Sequence, residues 1–212
     1  MRFQNPIDAI LNSSSKVRIL RFLCNKGGEW SGRRGAAELV MNPVTAHRAL
    51  RELHQATLLD LRKVGNSLVY SLREDHYLVH EALKPLFARE AQAPEKLDQF
   101  LQGAIDKKLS RHVVSAAVYG SIVRHQERPT SDVDLLVLVK SDRAKEEVRR
   151  ILEPLWEKVA WRFGNTLSLY VNTVHEWQQK YRHKLPVIQN ILKDHHVIWG
   201  IPIEEVLRGH AA

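Results

Sequence analysis

Gly120 and Ser121, followed about ten residues later by Asp132-Val133-Asp134, are the residues of this 212-residue chain whose types and spacing could do chemistry. The run His112–Tyr119 predicts a strand that delivers the Gly-Ser turn, and Val133–Val139 predicts a second, apolar strand. Side chains alternate faces along a strand, so Asp132 and Asp134 are expected on one side with Val133 opposite. Two carboxylates about 6–7 Å apart along a strand can share a divalent cation. Burying them without a cation would be costly. A Gly-Ser turn lets backbone N–H groups and a hydroxyl approach a phosphate. The chemistry in reach is that of a metal ion and a phosphate ester.

The elements that must hold these residues alternate from residue 111 onward. A short helix is expected after Gly120-Ser121, then an amphipathic helix over Arg143–Trp161 and a strand over Thr166–Val171. Helices over Val174–Arg182 and Pro186–Lys193 and a strand over His196–Trp199 complete the pattern. That order implies a sheet with helices on its faces. Thr173-x-x-Glu176 reads as a capping box opening one of those helices. Trp156, Trp161, Trp177 and Trp199 lie in amphipathic or strand contexts and are expected in the core. His195 and His196 are adjacent rather than at helical metal-pair spacing, so both read as surface residues. Residues 76–110 read as a helical connector broken at Ala91-Gln92-Ala93-Pro94.

Ahead of it, residues 1–75 read as helices followed by a hairpin. Asn5-Pro6 opens a short helix through Leu11. Ser13, Ser14 and Ser15 supply N-cap residues for the next, whose Val17, Leu20 and Cys24 recur at helical spacing and which Gly27-Gly28 ends. A third runs from about Gly32 to Val40, and Asn42-Pro43 announces a fourth ending near Ala56. The strand-like runs Leu58–Val64 and Ser67–Leu72 are joined by Gly65-Asn66, two residues that tolerate positive φ. In the fourth helix Ala46, Leu50 and Leu53 would face a core, leaving Thr45, His47, Arg48 and Arg51 outward. Arg33-Arg34 reads as a solvated face.

Composition sets the class. With 44% hydrophobic and 26% charged residues the chain is an ordinary globular one, neither disordered nor low-complexity. No apolar run approaches the length of a membrane span. The N-terminus has no continuous apolar segment of the kind a signal peptide needs, so a cytoplasmic protein is expected. One cysteine, Cys24, can make no internal disulfide and reads as core packing. The formal charge is +8, of which +5 falls on residues 1–75, a basic footprint that suits a polyanion.

Two resemblances sharpen this reading. Tyr119-Gly-Ser-Ile-Val-Arg124 followed by Thr130-Ser-Asp-Val-Asp-Leu135 is similar to the nucleotidyltransferase superfamily, in particular the minimal nucleotidyltransferases of prokaryotes, over about residues 100–205. The resemblance implies transfer of a nucleoside monophosphate from a triphosphate, with ATP the expected donor, to a protein or small molecule. It implies that Asp132 and Asp134 hold Mg²⁺ or Mn²⁺ and carry catalysis. Gly120, Ser121, Arg124 and Ser131 would bind the nucleotide. Minimal nucleotidyltransferases occur in toxin–antitoxin pairs, so a toxin-like protein acceptor is one implied partner. The sequence departs from the pattern at one place. Active members carry a third carboxylate on a neighbouring strand, and Ser168 occupies its expected position.

Residues 14–72 resemble the winged helix-turn-helix domains of bacterial and archaeal transcription regulators, on the stretch Asn42–Leu59. The glycine frequent before the wing is Thr57 here. The resemblance implies a DNA-facing set of Asn42, Thr45, His47, Arg48 and Arg51 on the helix, with Arg62, Lys63 and Asn66 in the wing. Such domains read paired half-sites, so a homodimer is expected. The expected architecture is α/β (α+β): an N-terminal winged helix at 1–75, a helical connector at 76–110, and a nucleotidyltransferase-type mixed sheet flanked by helices at 111–212. The alternative function is a regulator whose degenerate transferase domain only binds nucleotide.

Overall fold

A computed structural model describes residues 3–208, which form two compact units divided between Ala93 and Pro94. Among the described residues no helix is long and apolar enough to cross a membrane.

The first unit is built as α1 (Pro6–Ile10), α2 (Ser14–Lys26), β1 (Glu29–Ser31), α3 (Gly32–Glu38), α4 (Pro43–Gln55), β2 (Leu59–Val64) and β3 (Ser67–Leu72), closed by α5 (Lys84–Ala91). Local chemistry sets the helix starts. The hydroxyls of Ser13 and Ser31 accept from the N–H groups of Lys16 and Arg34, and Asn42 Oδ1 accepts from Val44 and Thr45. The strands pair antiparallel in the order β1-β3-β2. β1 is three residues long and is too short to leave a periodic trace in the sequence. Gly65 alone takes positive φ in the β2–β3 turn. Ile19, Leu20, Leu23, Leu50, Leu53, Leu58, Tyr70 and Leu72 form the core, and half-buried Cys24 packs against it. Burial pushes the Cys24 thiol up to about 11, so it is an unreactive packing group at neutral pH.

The helical stretch 76–110 divides between the two units. Leu78, Val79, Leu83 and Phe87 complete the first core. Val79–Leu83 is a π-helical turn running into α5, with Lys84 N–H reaching back to Val79 O. The widening falls just before Pro85, whose missing N–H and bulky ring disrupt ordinary helix there. Leu97, Leu101, Ile105 and Leu109 of α6 (Ala93–Leu109) instead enter the core of the second unit.

That unit continues as β4 (Val113–Tyr119), β5 (Val133–Val139), α7 (Asp142–Leu152), α8 (Leu155–Phe163), β6 (Leu167–Thr173), α9 (Val174–Arg182), α10 (Pro186–Lys193), β7 (His195–Gly200) and α11 (Ile203–Leu207). The sheet order is β6-β5-β4-β7. β5 and β6 run parallel; the other pairs are antiparallel. α6, α7 and α8 cover one face through Leu101, Ile105, Val148 and Val159; α9, α10 and α11 cover the other through Trp177, Ile188, Ile191 and Val206. β5 is therefore apolar on both faces, and Asp134 interrupts it near its start.

The structure corrects several expectations. The segment after Gly120-Ser121 is a turn over 120–125, not a helix; Arg124 N–H bonds Gly120 O at 3.3 Å and Gln126 N–H bonds Ser121 O at 3.0 Å. The helix expected over Arg143–Trp161 is two helices, because Pro154 ends the backbone ladder. The break resets the helical phase, so that Leu155, Val159 and Phe163 turn inward. Trp161 is consequently 95% exposed and Trp156 49%, against the core placement expected for both. Trp177 is fully buried and Trp199 partly so. His195 is no surface residue: its side chain is 11% exposed and its Nδ1 bonds Ile191 O at 3.1 Å.

Candidate active site and nucleic-acid interface

Four strands present one residue each in a single row: His195, Tyr119, Asp134 and Ser168, on β7, β4, β5 and β6. Residues paired across a sheet point to the same face. Asp132 lies just before β5, tied down by Thr166 Oγ1, which donates to its carboxylate. Val133 N–H to Thr166 O at 2.7 Å and Asn165 Nδ2 to Ser131 O at 2.7 Å join the two strand entrances. So the Asp pair sits where β5 begins rather than wholly within the strand.

Asp134 is half-buried, and burial raises its pKa, as does the like charge of Asp132; the neighbouring Ser168 hydroxyl and the Arg124 guanidinium pull the other way. Gly120 packs directly on this side chain. It has φ +82°, and a Cβ there would collide with Asp134 Oδ2 and come within 3.3 Å of Cγ. Glycine is thus required twice, by backbone conformation and by space. Tyr119 is pushed up to about 12 by burial and by its neighbours Asp134 and Tyr170, which keeps its phenol protonated. Arg124 lies 3.9 Å from Asp194, a loose and partly exposed pair. Ser131 is committed to its own turn: its Oγ accepts from Arg128 N–H at 2.8 Å.

Among the described residues no group of three or more His, Cys, Asp and Glu side chains could hold a metal ion. The donor set is two carboxylates. That suits a hard cation such as Mg²⁺, which is commonly held by one or two carboxylates plus water and substrate phosphates. Relief of the Asp132–Asp134 repulsion gives such an ion a reason to bind there.

Glu176 does not stand in for Ser168. Glu176 is in the capping box, accepting from Thr173 N–H at 2.9 Å, and pairs with Lys145 at 2.6 Å. Thr173, at the other end of β6, pairs with Val139, five positions or about 17 Å from the Asp134 row. Three polar residues of β6 and α9 went unread in the sequence. Lys180 Nζ donates to Tyr170 Oη at 3.1 Å and to Asn172 Oδ1, and lies 5.0 Å from the Tyr170 ring centre. Tyr170 lies two residues beyond Ser168 on the same face. Only strand register shows this, and the one available signal was Tyr170 at even spacing from Ser168.

In the first unit α3, a short turn and α4 lead into the β2–β3 wing. Ala46, Ala49, Leu50 and Leu53 are buried. His47, Arg48 and Arg51 share the opposite face with Pro43 and Val44, Arg48 and Arg51 being exposed. Thr45 is half-buried, and the Asn42 side-chain oxygen is spent on capping. Lys63 and Asn66 are exposed near the wing turn. Arg62 is already paired with Glu29, its Nε 2.7 Å from Oε1. Arg34 lies over Trp30 at 4.8 Å, and Arg33 is exposed. Thr57 takes φ +66°, the conformation that a glycine would adopt freely.

Residues 103–201 match the family model described as "Polymerase beta, Nucleotidyltransferase". This segment is a nucleotidyltransferase domain of that family, preceded in the chain by a winged helix. Comparison with curated proteins found no match. Among solved structures the chain is similar to the AntR antimony-specific transcriptional repressor, at 20% identity over 42% of this chain and 75% of that one, TM-score 0.35. It is also similar to a homodimeric winged helix-turn-helix DNA-binding domain from Mycobacterium bovis, at 25% identity over 44% and 81%, TM-score 0.33. A toxin-antitoxin structure with AMP-PNP matches at 14% identity over 53% and 82%, TM-score 0.35.

Proposed function

We propose that the chain binds a nucleoside triphosphate, with ATP the first choice, at Gly120, Ser121 and Arg124, and transfers its nucleoside monophosphate to an acceptor. The observation that carries this reading is the packing of Gly120 against Asp134, with Asp132 close enough to raise its pKa. Asp132 and Asp134 would hold Mg²⁺ or Mn²⁺, which would neutralise charge on the triphosphate and its leaving pyrophosphate. The Gly120–Ser121 backbone would face the β- and γ-phosphates, and Arg124, only loosely paired, would add a cationic contact. Ser131 would act by fixing the turn ahead of Asp132. The assay is label transfer from α-labelled ATP with Mg²⁺ or Mn²⁺. Transfer that disappears in Asp134→Asn supports the reading, and equal transfer by both proteins removes it.

The winged helix would bind DNA through Arg48 and Arg51, with Lys63 and Asn66 on the flanking backbone, as a homodimer in the cytoplasm. A toxin-like protein remains a proposed partner and acceptor. The second reading, a regulator whose transferase domain only senses nucleotide, is favoured by one observation: Ser168 stands beside Asp134 where a proton-accepting carboxylate is expected. Serine is no general base at neutral pH without activation of its own.

A further inference from the structure

β6 reaches the candidate site ahead of Ser168, through Thr166. Gly164 ends α8 in the left-handed conformation, and the chain turns from there into β6. The register of β5 against β6 then holds beyond the strands themselves. Asp134 pairs with Ser168 and Val133 with Leu167; one step earlier Thr166 Oγ1 donates to Asp132 Oδ1, and one step before that Asn165 Nδ2 donates to Ser131 O at 2.7 Å. Each of these pairs is 34 residues apart. The backbone closes the same register, with Val133 N–H on Thr166 O at 2.7 Å. Alternate residues share a face, so β6 brings one hydroxyl residue to each carboxylate of the pair.

The two carboxylates are held differently. Asp134 lies within β5, half-buried, with Gly120 packed on its side chain. Asp132 precedes the strand and is exposed, so packing does not fix its side-chain torsions. Thr166 supplies that restraint. Its hydroxyl takes Oδ1 and leaves Oδ2 for a cation. A carboxylate with one oxygen engaged ligates through the other alone. Mg²⁺ demands near-octahedral geometry and is served by one or two carboxylates with water and phosphate oxygens, whereas Ca²⁺ takes about six to eight oxygens and accepts bidentate carboxylates.

We propose that Thr166 is a positioning residue that keeps Asp132 monodentate and so tunes the site to Mg²⁺ or Mn²⁺ over Ca²⁺. This rests on the reading that Asp132 and Asp134 hold a cation with the triphosphate. Thr166 acts through Asp132 and needs no contact with the ion or the nucleotide. Loss of a hydrogen-bond partner of a metal ligand typically costs about 10–100-fold in metal affinity.

The test uses the full chain and calorimetry with α,β-methylene-ATP, whose α,β bridge transfer cannot break, complexed with Mn²⁺ or with Ca²⁺. Wild type is compared with Thr166→Val, which is near-isosteric and lacks the hydroxyl, and with Thr166→Ser, which keeps it. The backbone bond from Val133 to Thr166 O needs neither side chain, so both variants retain the entrance to β6. Thr166→Val should bind the Mn²⁺ complex about tenfold or more weakly, and the Ca²⁺ complex less than about threefold more weakly, because Asp132 can then ligate through both oxygens. The preference for Mn²⁺ over Ca²⁺ should return in Thr166→Ser. An unchanged preference in Thr166→Val overturns the inference, whether both affinities stay level or both fall together as a merely structural role would make them. So does a Thr166→Ser variant that behaves like Thr166→Val. Wild type that binds neither complex removes the underlying site assignment, and the inference with it.

Discussion

Asp134 and Ser168 are register partners: the parallel pairing of β5 with β6 sets them side by side on one face of the sheet. A carboxylate at 168 would repel Asp134 in the absence of a cation and could accept a proton. Serine does neither. On the proposed reading the pairing would leave room for a cation and a nucleotide without supplying a carboxylate base at position 168.

The first prediction concerns stability and pH. Asp134 has a raised pKa in the folded chain, so its protonated form favours the fold. That contribution is fully present below the ordinary carboxylate pKa and is lost as pH rises through the raised folded value. At neutral pH without divalent cation, Asp134→Asn should then be more stable than wild type by a small margin, since half of the group is solvated. The margin should shrink as pH falls toward the carboxylate range. Thermal melts in chelator across pH check it, and a less stable variant at pH 7 would contradict it.

Gly120→Ala tests the close approach. The added methyl meets the Asp134 carboxylate and the backbone must hold positive φ, a conformation costing about 1–3 kcal/mol for other residues. We expect a destabilisation of about that size, readable by urea titration, together with loss of ATP–Mn²⁺ binding. Unchanged binding would show that the carboxylate can move aside freely.

Thr57→Gly should act in the opposite direction. Thr57 sits at φ +66° as a β-branched residue. Relief of that strain is worth about 1 kcal/mol, less what is lost with its Oγ1 contact to His76 at 3.3 Å. A lower urea midpoint for the variant would mean that the hydroxyl contacts outweigh the backbone strain.

On the winged helix, Arg48 and Arg51 project from α4 whereas Lys63 lies in the wing. An arginine on a guanine edge carries about 1–3 kcal/mol of discrimination, and a phosphate contact carries none. Arg48→Ala or Arg51→Ala should weaken binding to the protein's own upstream DNA far more than to scrambled duplex. Lys63→Ala should weaken both alike and reduce the salt slope by about one unit. Fluorescence anisotropy at two salt concentrations reads both. Equal losses on both duplexes for Arg48→Ala would remove α4 as the reading element.

Where the chain carries strong local chemistry, sequence and structure agree. Asn42-Pro43, Gly65-Asn66 and Thr173-x-x-Glu176 each name a cap or turn through short-range hydrogen bonds, and each stands where expected. The mixed α/β architecture followed from the alternation of apolar runs. What escaped the sequence is what depends on partners distant along the chain. The Asp134–Ser168 alignment was a position count until strand register placed the two together. Arg62 looked free until β1 brought Glu29 to it. Lys180 looked like any helical lysine, because Tyr170 and Asn172 lie on another element. Trp156 and Trp161 were misplaced because Pro154 shifts the helical phase between two otherwise continuous apolar patterns.

The central claim is that Asp132 and Asp134 hold a divalent cation and a nucleoside triphosphate. The most direct measurement is isothermal titration of ATP with Mn²⁺ into the wild-type chain and into Asp134→Asn, a near-isosteric change. The account predicts saturable, cation-dependent binding to the wild type and at least about tenfold weaker binding to the variant, with both proteins folded by circular dichroism. Equal affinity of the two proteins for ATP and Mn²⁺ would contradict it.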